Sequence, residues 1–181
     1  MGAQRTRALR GALAGAVAAA VWAAQQPLDK QAFGVDYDDA ELLGAALTRE
    51  RGTPATFAVG LAMHVANGAL FGAVYARLAP SVPGPAVARG AAAGMAEHLA
   101  TWPLTRLLHL HPAGSEFPPL WGSRAAFAQA AYRHLLFGAL LGGLERRLNP
   151  PEGEAAPAEE DLASSNGHGR VEHLVTARAA R

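Results

Sequence analysis

The chain of 181 residues contains no cysteine. It therefore has no disulfide framework, no thiol nucleophile and no thiolate metal site, which excludes small disulfide-rich folds and zinc ribbons. A strong excess of charge is also missing, because 16 basic residues stand against 15 acidic residues. With a net charge of only +1, no nucleic-acid partner is expected. Aromatic residues make up 7% of the chain, and the apolar half consists mainly of alanine and leucine.

Recognisable catalytic motifs are absent as well. The sequence contains no H-E-x-x-H, G-x-S-x-G, P-loop or G-x-G-x-x-G pattern. We therefore predict no catalytic residues and no cofactor, and whether the protein is an enzyme stays open.

Four apolar stretches cover most of the chain up to residue 149. They run over residues 8–26, 54–79, 86–108 and 124–144, each close to the ~20 residues that a helix needs to cross ~30 Å of hydrocarbon. None alternates like a strand, and alanine, leucine and glycine dominate them. We therefore predict an all-α fold, a four-helix transmembrane bundle in residues 1–149 of a bacterial inner-membrane protein, with the lipid bilayer as its partner.

The remaining residues, 150–181, contain 6 acidic and 3 basic residues beside proline, glycine and serine. This composition predicts a disordered tail. In the four-span arrangement seven arginines fall on one side and five basic residues on the other, which predicts both termini and the tail in the cytoplasm. The loop 27–53 would then lie outside, where Asp38 or Asp39 is expected to cap a short helix. Trp22, Trp102 and Trp121 are expected in an aromatic belt at the outer boundary.

The second half of the membrane domain resembles the first. Shifting the sequence by 70 residues aligns 54–80 with 124–150 without a gap, and 11 of 27 positions are identical. Shorter matches relate the first stretch to the third. The sequence therefore predicts two parallel helical hairpins related by an internal repeat. Each stretch also carries a G-x-x-x-G motif, which lets two helix backbones approach closely, within the chain or between chains. The predicted packing glycines are Gly11, Gly15, Gly68, Gly72, Gly90, Gly94, Gly138 and Gly142.

Polar residues inside the stretches are the best candidates for function. His64 and His134 each lie ten residues after the start of their stretch, hence ~15 Å along the helix and near the bilayer centre. Ionisable groups at this depth are costly and mark a site, cavity or relay by default. We predict that an intramembrane cluster converges in the bundle and that Arg133 reaches Glu97 or a neighbouring chain. Its members are His64, Asn67, Glu97, His98, Arg133 and His134.

Three functions remain open for this cluster. The first is that the cluster handles protons, ions or a small polar solute. The second is that it only fixes helix register, in a structural or assembly subunit that packs through its glycines against copies of itself or other membrane proteins. The third is that it holds zinc or iron. A soluble four-helix bundle, and removal of the first stretch as a signal peptide, stay open as alternatives.

A family resemblance rests on the segments RGALAGAVAAAVW, QQPLDKQAFGVDYDDAELLG, EHLATWPLTRLLHLHPA and FAQAAYRHLLFGALLGGLERRLN. They resemble small multi-pass actinobacterial membrane proteins over about residues 7–149, and the first span resembles the YagU type of bacterial inner-membrane protein. The resemblance implies a multi-pass inner-membrane protein and carries over no catalytic residue.

Overall fold

The computed structural model describes residues 2–151. Within that range the chain forms five α-helices and no β-strand, so the predicted all-α class is confirmed. The helices are α1 (Gly2–Phe33), α2 (Asp39–Thr48), α3 (Pro54–Leu78), α4 (Ala86–Thr101) and α5 (Arg124–Leu148). Short 3₁₀ helices occupy Ala79–Ser81, Trp102–Leu110 and Gly114–Glu116. From residue 152 onward, the predicted tail lies outside the described residues.

Polar side chains mark where three of the helices begin. The Asp38 carboxylate accepts a hydrogen bond from the backbone N–H of Glu41 at 2.9 Å, which confirms the predicted cap of a short helix in the first loop. Thr53 and Ser123 cap α3 and α5 in the same way. These two caps, and the bounds of the two helices, are offset by the same 70 residues as the sequence match.

The third predicted stretch, 86–108, is not one α-helix. The α-helix ends at Thr101, and a 3₁₀ segment, Trp102–Leu110, continues the chain. Pro103 explains the change, because proline lacks an N–H and its ring clashes with the carbonyl group four residues earlier. With 16 residues, α4 is ~24 Å long, shorter than the hydrocarbon core of a bilayer.

Two helices among the described residues are long and apolar enough to cross a membrane. They are α1 and α3 together with its 3₁₀ extension, Pro54–Ser81. The fifth helix has 25 residues but also contains five charged side chains. Only 22% of the most apolar stretch of α3 is buried inside the protein, unlike the core helix of a soluble bundle. These two helices favour membrane association.

The helices form two close pairs that meet through α1 and α5. Helix α3 packs against α1, α4 packs against α5, and α2 packs against α3. A Cβ added at Gly15 would lie 2.0 Å from the backbone oxygen of Gly68, and one added at Gly90 would lie 2.1 Å from that of Gly138. All eight predicted packing glycines lie at these two antiparallel contacts, so within this chain they hold α1 against α3 and α4 against α5.

The interior contains many polar side chains beside its apolar core. Buried side chains include a fully enclosed arginine, two glutamines, three histidines and three carboxylates. Large apolar side chains, by contrast, are exposed along the outer faces of the long helices. Exposed apolar side chains of this kind favour membrane association. On α1 the exposed residues recur at helical spacing: Leu9, Leu13, Val17 and Val21.

Candidate functional site: a buried ionisable cluster beside a cavity

Arg133 is the centre of a buried ion-pair cluster. Its side chain, in the middle of α5, is 0% exposed. Nε and Nη2 donate to the two carboxylate oxygens of Asp29 at 2.7 and 2.5 Å, and Nη1 donates to Asp39 at 2.7 Å. Nη2 also donates to the backbone carbonyl of Tyr37 at 2.8 Å. These bonds join α5 to the end of α1 and the start of α2.

The Asp39 carboxylate accepts hydrogen bonds from three further side chains. Trp22 Nε1 donates at 3.1 Å, Gln26 Nε2 donates at 3.2 Å, and the Tyr37 hydroxyl group also donates. Burial raises the pKa of Asp39, but the charge of Arg133 and the bond from Tyr37 outweigh it, so the pKa lies below its ordinary value. Burial and the adjacent Asp39 carboxylate raise the pKa of Tyr37 well above its ordinary value. At neutral pH, Asp39 is therefore ionised and Tyr37 is protonated.

The ion-pair cluster has an excess of negative charge. One guanidinium faces two carboxylates, those of Asp29 and Asp39. Gln25 and Gln129 also donate to Asp29, at 2.6 and 2.7 Å, but these amides carry no charge. An unbalanced negative charge in a low-dielectric interior favours a proton or a cation nearby.

Trp22 connects the ion-pair cluster to three histidines. Its ring is edge-on to His64, at 4.9 Å between centroids, and to His134, at 4.7 Å. The ring of His98 lies 4.9 Å from that of His134. The three imidazoles come from α3, α5 and α4, so the row joins both helix pairs.

His134 and Glu97 form a close side-chain pair. Nδ1 of His134 lies 2.7 Å from the backbone oxygen of Ala130, which can only accept, so this nitrogen carries a hydrogen. Nε2 of His134 lies 2.7 Å from a carboxylate oxygen of Glu97. A hydrogen bond at this distance needs one proton, held either by the imidazole or by the carboxyl group. The pair can therefore change between an ionic and a neutral form by a short proton movement.

Two buried imidazole nitrogens lack a hydrogen-bond partner among the described residues. They are Nε2 of His64 and Nε2 of His98, on side chains that are 7% and 1% exposed. Leaving a buried polar atom unsatisfied costs about 1–3 kcal/mol, a cost that a water molecule or another bound group can remove. Both histidines line a cavity.

The cavity has a volume of about 400 Å³ and lies between α3 and α4, over α1 and α5. Small-molecule sites span roughly 300–1,000 Å³. Aromatic rings and leucines form much of its wall. Ten residues with polar side chains also line it: Tyr37, Asp39, His64, Asn67, Glu97, His98, Thr101, Thr105, His111 and His134. None of the described residues that line it is lysine or arginine.

The structure brings five of the six predicted cluster residues to this cavity, with Asn67 at its exposed rim. Arg133 is the exception, and the expectation that it reaches Glu97 is wrong. It points instead toward α1 and α2, where Asp29 and Asp39 are its partners, while Glu97 pairs with His134. The aromatic-belt expectation is wrong for Trp22, which is buried and bonded to Asp39.

Sequence reasoning missed the acidic half of the cluster. Asp29 and Asp39 lie in a stretch interpreted as a loop outside the membrane, although α1 continues to Phe33. One available signal is the segment DYDD, three acidic residues within four positions. Another is the principle that a basic residue inside a span needs an acidic partner, for which Asp29, three residues after the first apolar stretch, was a candidate beside Glu97.

Among residues 2–151, no group of three or more histidine, aspartate or glutamate side chains is arranged to hold a metal ion. The three imidazoles form a row around Trp22 and do not converge on one point. The geometry therefore gives no support to the zinc or iron hypothesis.

Comparison of the chain with protein-family models, curated proteins and solved structures finds no match.

Proposed function

We propose that this protein is an integral membrane protein whose cavity takes up protons or a small polar solute through His64, His134 and Glu97. The observation that carries the proposal is a cavity lined by His64 and His98, whose buried Nε2 atoms lack a partner, and by the hydrogen-bonded pair of His134 and Glu97. Burying ionisable groups at membrane depth costs free energy, so such groups by default indicate a functional site.

The crossing of the bilayer by α1, α3, α4 and α5 is part of this proposal. Its support is the similar packing of the two helix pairs: Gly15 meets the backbone of Gly68 in one pair, and Gly90 meets the backbone of Gly138 in the other. The 3₁₀ segment after Thr101 lengthens the third crossing beyond α4 itself. The distribution of arginine favours a bacterial inner membrane with both termini in the cytoplasm.

The alternative of an assembly subunit has less support. It requires glycine faces that are free to receive another membrane protein. Here the faces of Gly11, Gly15, Gly90 and Gly94 are occupied by helices of the same chain.

Proton flux into proteoliposomes tests the proposal. The purified protein is reconstituted with a pH-sensitive dye inside the vesicles, and a membrane potential drives protons inward. We expect wild-type flux above that of empty vesicles and a loss of about tenfold or more in Glu97→Gln and His64→Ala, since a positioned acid–base group contributes about 10²–10⁴-fold to proton transfer.

Two exposed residues provide matched controls. Glu50→Gln and His109→Ala make the same chemical changes outside the cavity and should keep wild-type flux. Membrane abundance and unfolding temperature are measured for all four variants. Unchanged flux in both cavity variants, or a loss that only follows abundance, would contradict the proposal.

A further inference from the structure

We propose that the ligand of this cavity is an amphiphile with a protonated amine head group and an apolar tail, which enters sideways from the bilayer. This inference rests on the proposed function and extends its solute from a small polar molecule to one whose polar head group carries an apolar tail. Two observations support it: the direction in which the cavity opens, and the charge of the groups that line it.

The cavity opens on the side, between α3 and α4. Helices α1 and α5 form its floor through Ala19, Trp22 and Phe137. At one end, a hydrogen bond of 3.0 Å between His111 Nε2 and the backbone oxygen of Leu42 ties the chain after the 3₁₀ segment to α2. The most exposed lining residues are Asn67, Leu104 and Leu107, which therefore mark the opening.

The surface around the opening is apolar. Leu104 is 61% exposed and Leu107 is 50% exposed, both on the 3₁₀ segment. Outside the rim, Leu70 of α3 and Leu99 of α4 are also exposed. If α3 and α4 cross the bilayer, this opening faces hydrocarbon, and a molecule that enters through it needs an apolar part.

The inner end of the cavity favours a cation. Asp39 and Glu97 line the cavity, and Asp39 shares the single guanidinium of Arg133 with Asp29. Arg133 is unavailable to an anion because its donors are directed at Asp29, Asp39 and Tyr37. An ammonium group donates hydrogen bonds, which carboxylate oxygens and unprotonated imidazole nitrogens can accept, and aromatic walls attract a cation further.

Competition against a photoreactive probe tests both parts of the inference. A dodecylamine that carries a diazirine in its tail is cross-linked to the protein in zwitterionic nanodiscs, and the labelled peptides are mapped by mass spectrometry. We expect labelling at the cavity, in peptides that contain residues 60–71 or 102–108, and competition by excess dodecylamine. Dodecanol, dodecanoate and methylamine should each compete about tenfold less well, a loss of ~1.4 kcal/mol of binding free energy.

A variant at the opening separates entry from folding. Leu104→Trp narrows the rim at an exposed position, so labelling should fall about tenfold while the unfolding temperature stays unchanged. Leu110→Trp makes the same change on a side chain that is 71% exposed and lies outside the cavity lining, and it should label like the wild type.

The outcomes distinguish this inference from the function on which it rests. Equal competition by methylamine would overturn sideways entry, and equal competition by dodecanol or dodecanoate would overturn the preference for a cation. Labelling outside the cavity peptides would overturn both parts. In each case the proton flux of the wild type and of Glu97→Gln would still decide the proposed function on its own.

Discussion

A single buried arginine shows how individual residues hold this fold together. Arg133 makes a bidentate contact with Asp29, and its Nη1 donates a hydrogen bond to Asp39. Removing one member of a buried ion pair costs about 3–5 kcal/mol, because the other charge stays buried without a partner. The same bonds connect α1, α2 and α5, so the cluster that sets the charge beside the cavity also positions its floor.

The pH dependence of stability tests the charge states of this cluster. The pKa of the Asp39 carboxyl group is lower in the folded protein than its ordinary value of 3.8. Its charge therefore stabilises the fold when the pH is above 3.8, and this contribution is lost as the pH falls through the pKa of the folded state. A phenol with a raised pKa stabilises the fold below 10.0, and this contribution is lost as the pH rises above that value. We therefore expect the unfolding temperature in detergent to fall at both extremes of pH.

Replacing Tyr37 separates the loss of stability at high pH from the loss at low pH. Tyr37→Phe should lower the unfolding temperature at neutral pH, because Asp39 loses a donor, and it should flatten the decline above pH 10. Tyr132→Phe, at an exposed position, should keep the wild-type profile. An alkaline decline that is identical in wild type and Tyr37→Phe would show that another group titrates.

At the level of helices, glycine determines how closely the pairs approach. Gly15 of α1 rests on the backbone of Gly68, and Gly94 of α4 rests on the backbone of α5 at His134. Any side chain at these points has to displace a main chain. The contacts repeat in both pairs although the surrounding residues differ.

Alanine substitution measures this constraint. Gly15→Ala and Gly94→Ala would place a Cβ 2.0 and 2.3 Å from a backbone oxygen, so we expect each to destabilise the protein by about 1–3 kcal/mol, as overpacking does. The control is Gly143→Ala, also inside a helix, where the nearest atom is 3.7 Å away. It should be neutral or stabilising by up to about 1 kcal/mol, because alanine favours helix more than glycine does. Equal unfolding temperatures in all three variants would mean that the helices pack less closely.

Local signals in the sequence predict the helices well and their partners less well. The caps before α2, α3 and α5 and the alanine-rich composition are enough to locate those elements. The end of α4 follows from Pro103, whose effect an apolar average over 86–108 conceals. Which residue pairs with Arg133 depends on tertiary packing, since Asp39 is 94 positions away along the chain.

For the whole molecule, the sequence pattern predicts which polar side chains lie in the interior, and tertiary packing decides which of them meet. Histidines spaced along apolar stretches predicted a shared interior site, and His64, His98 and His134 do meet at one cavity. Periodicity gives the face of a helix but not the neighbour it meets. Periodicity therefore could not predict that Asp39 and Tyr37 of the first loop bind Arg133.

The absence of cysteine makes the membrane arrangement directly testable, because single-cysteine variants have no background. In bacterial cells, a membrane-impermeant maleimide should label Glu50→Cys and Ser115→Cys, and should label Ser81→Cys only after permeabilisation. Leu13→Cys, facing lipid, should stay unlabelled in intact membranes. Ser115 decides between two spans and four: if only α1 and α3 cross, it lies on the same side as Ser81 and the two are labelled together. Equal labelling of Leu13→Cys and Glu50→Cys would contradict a membrane location for α1, and the protein should then also remain monodisperse without detergent.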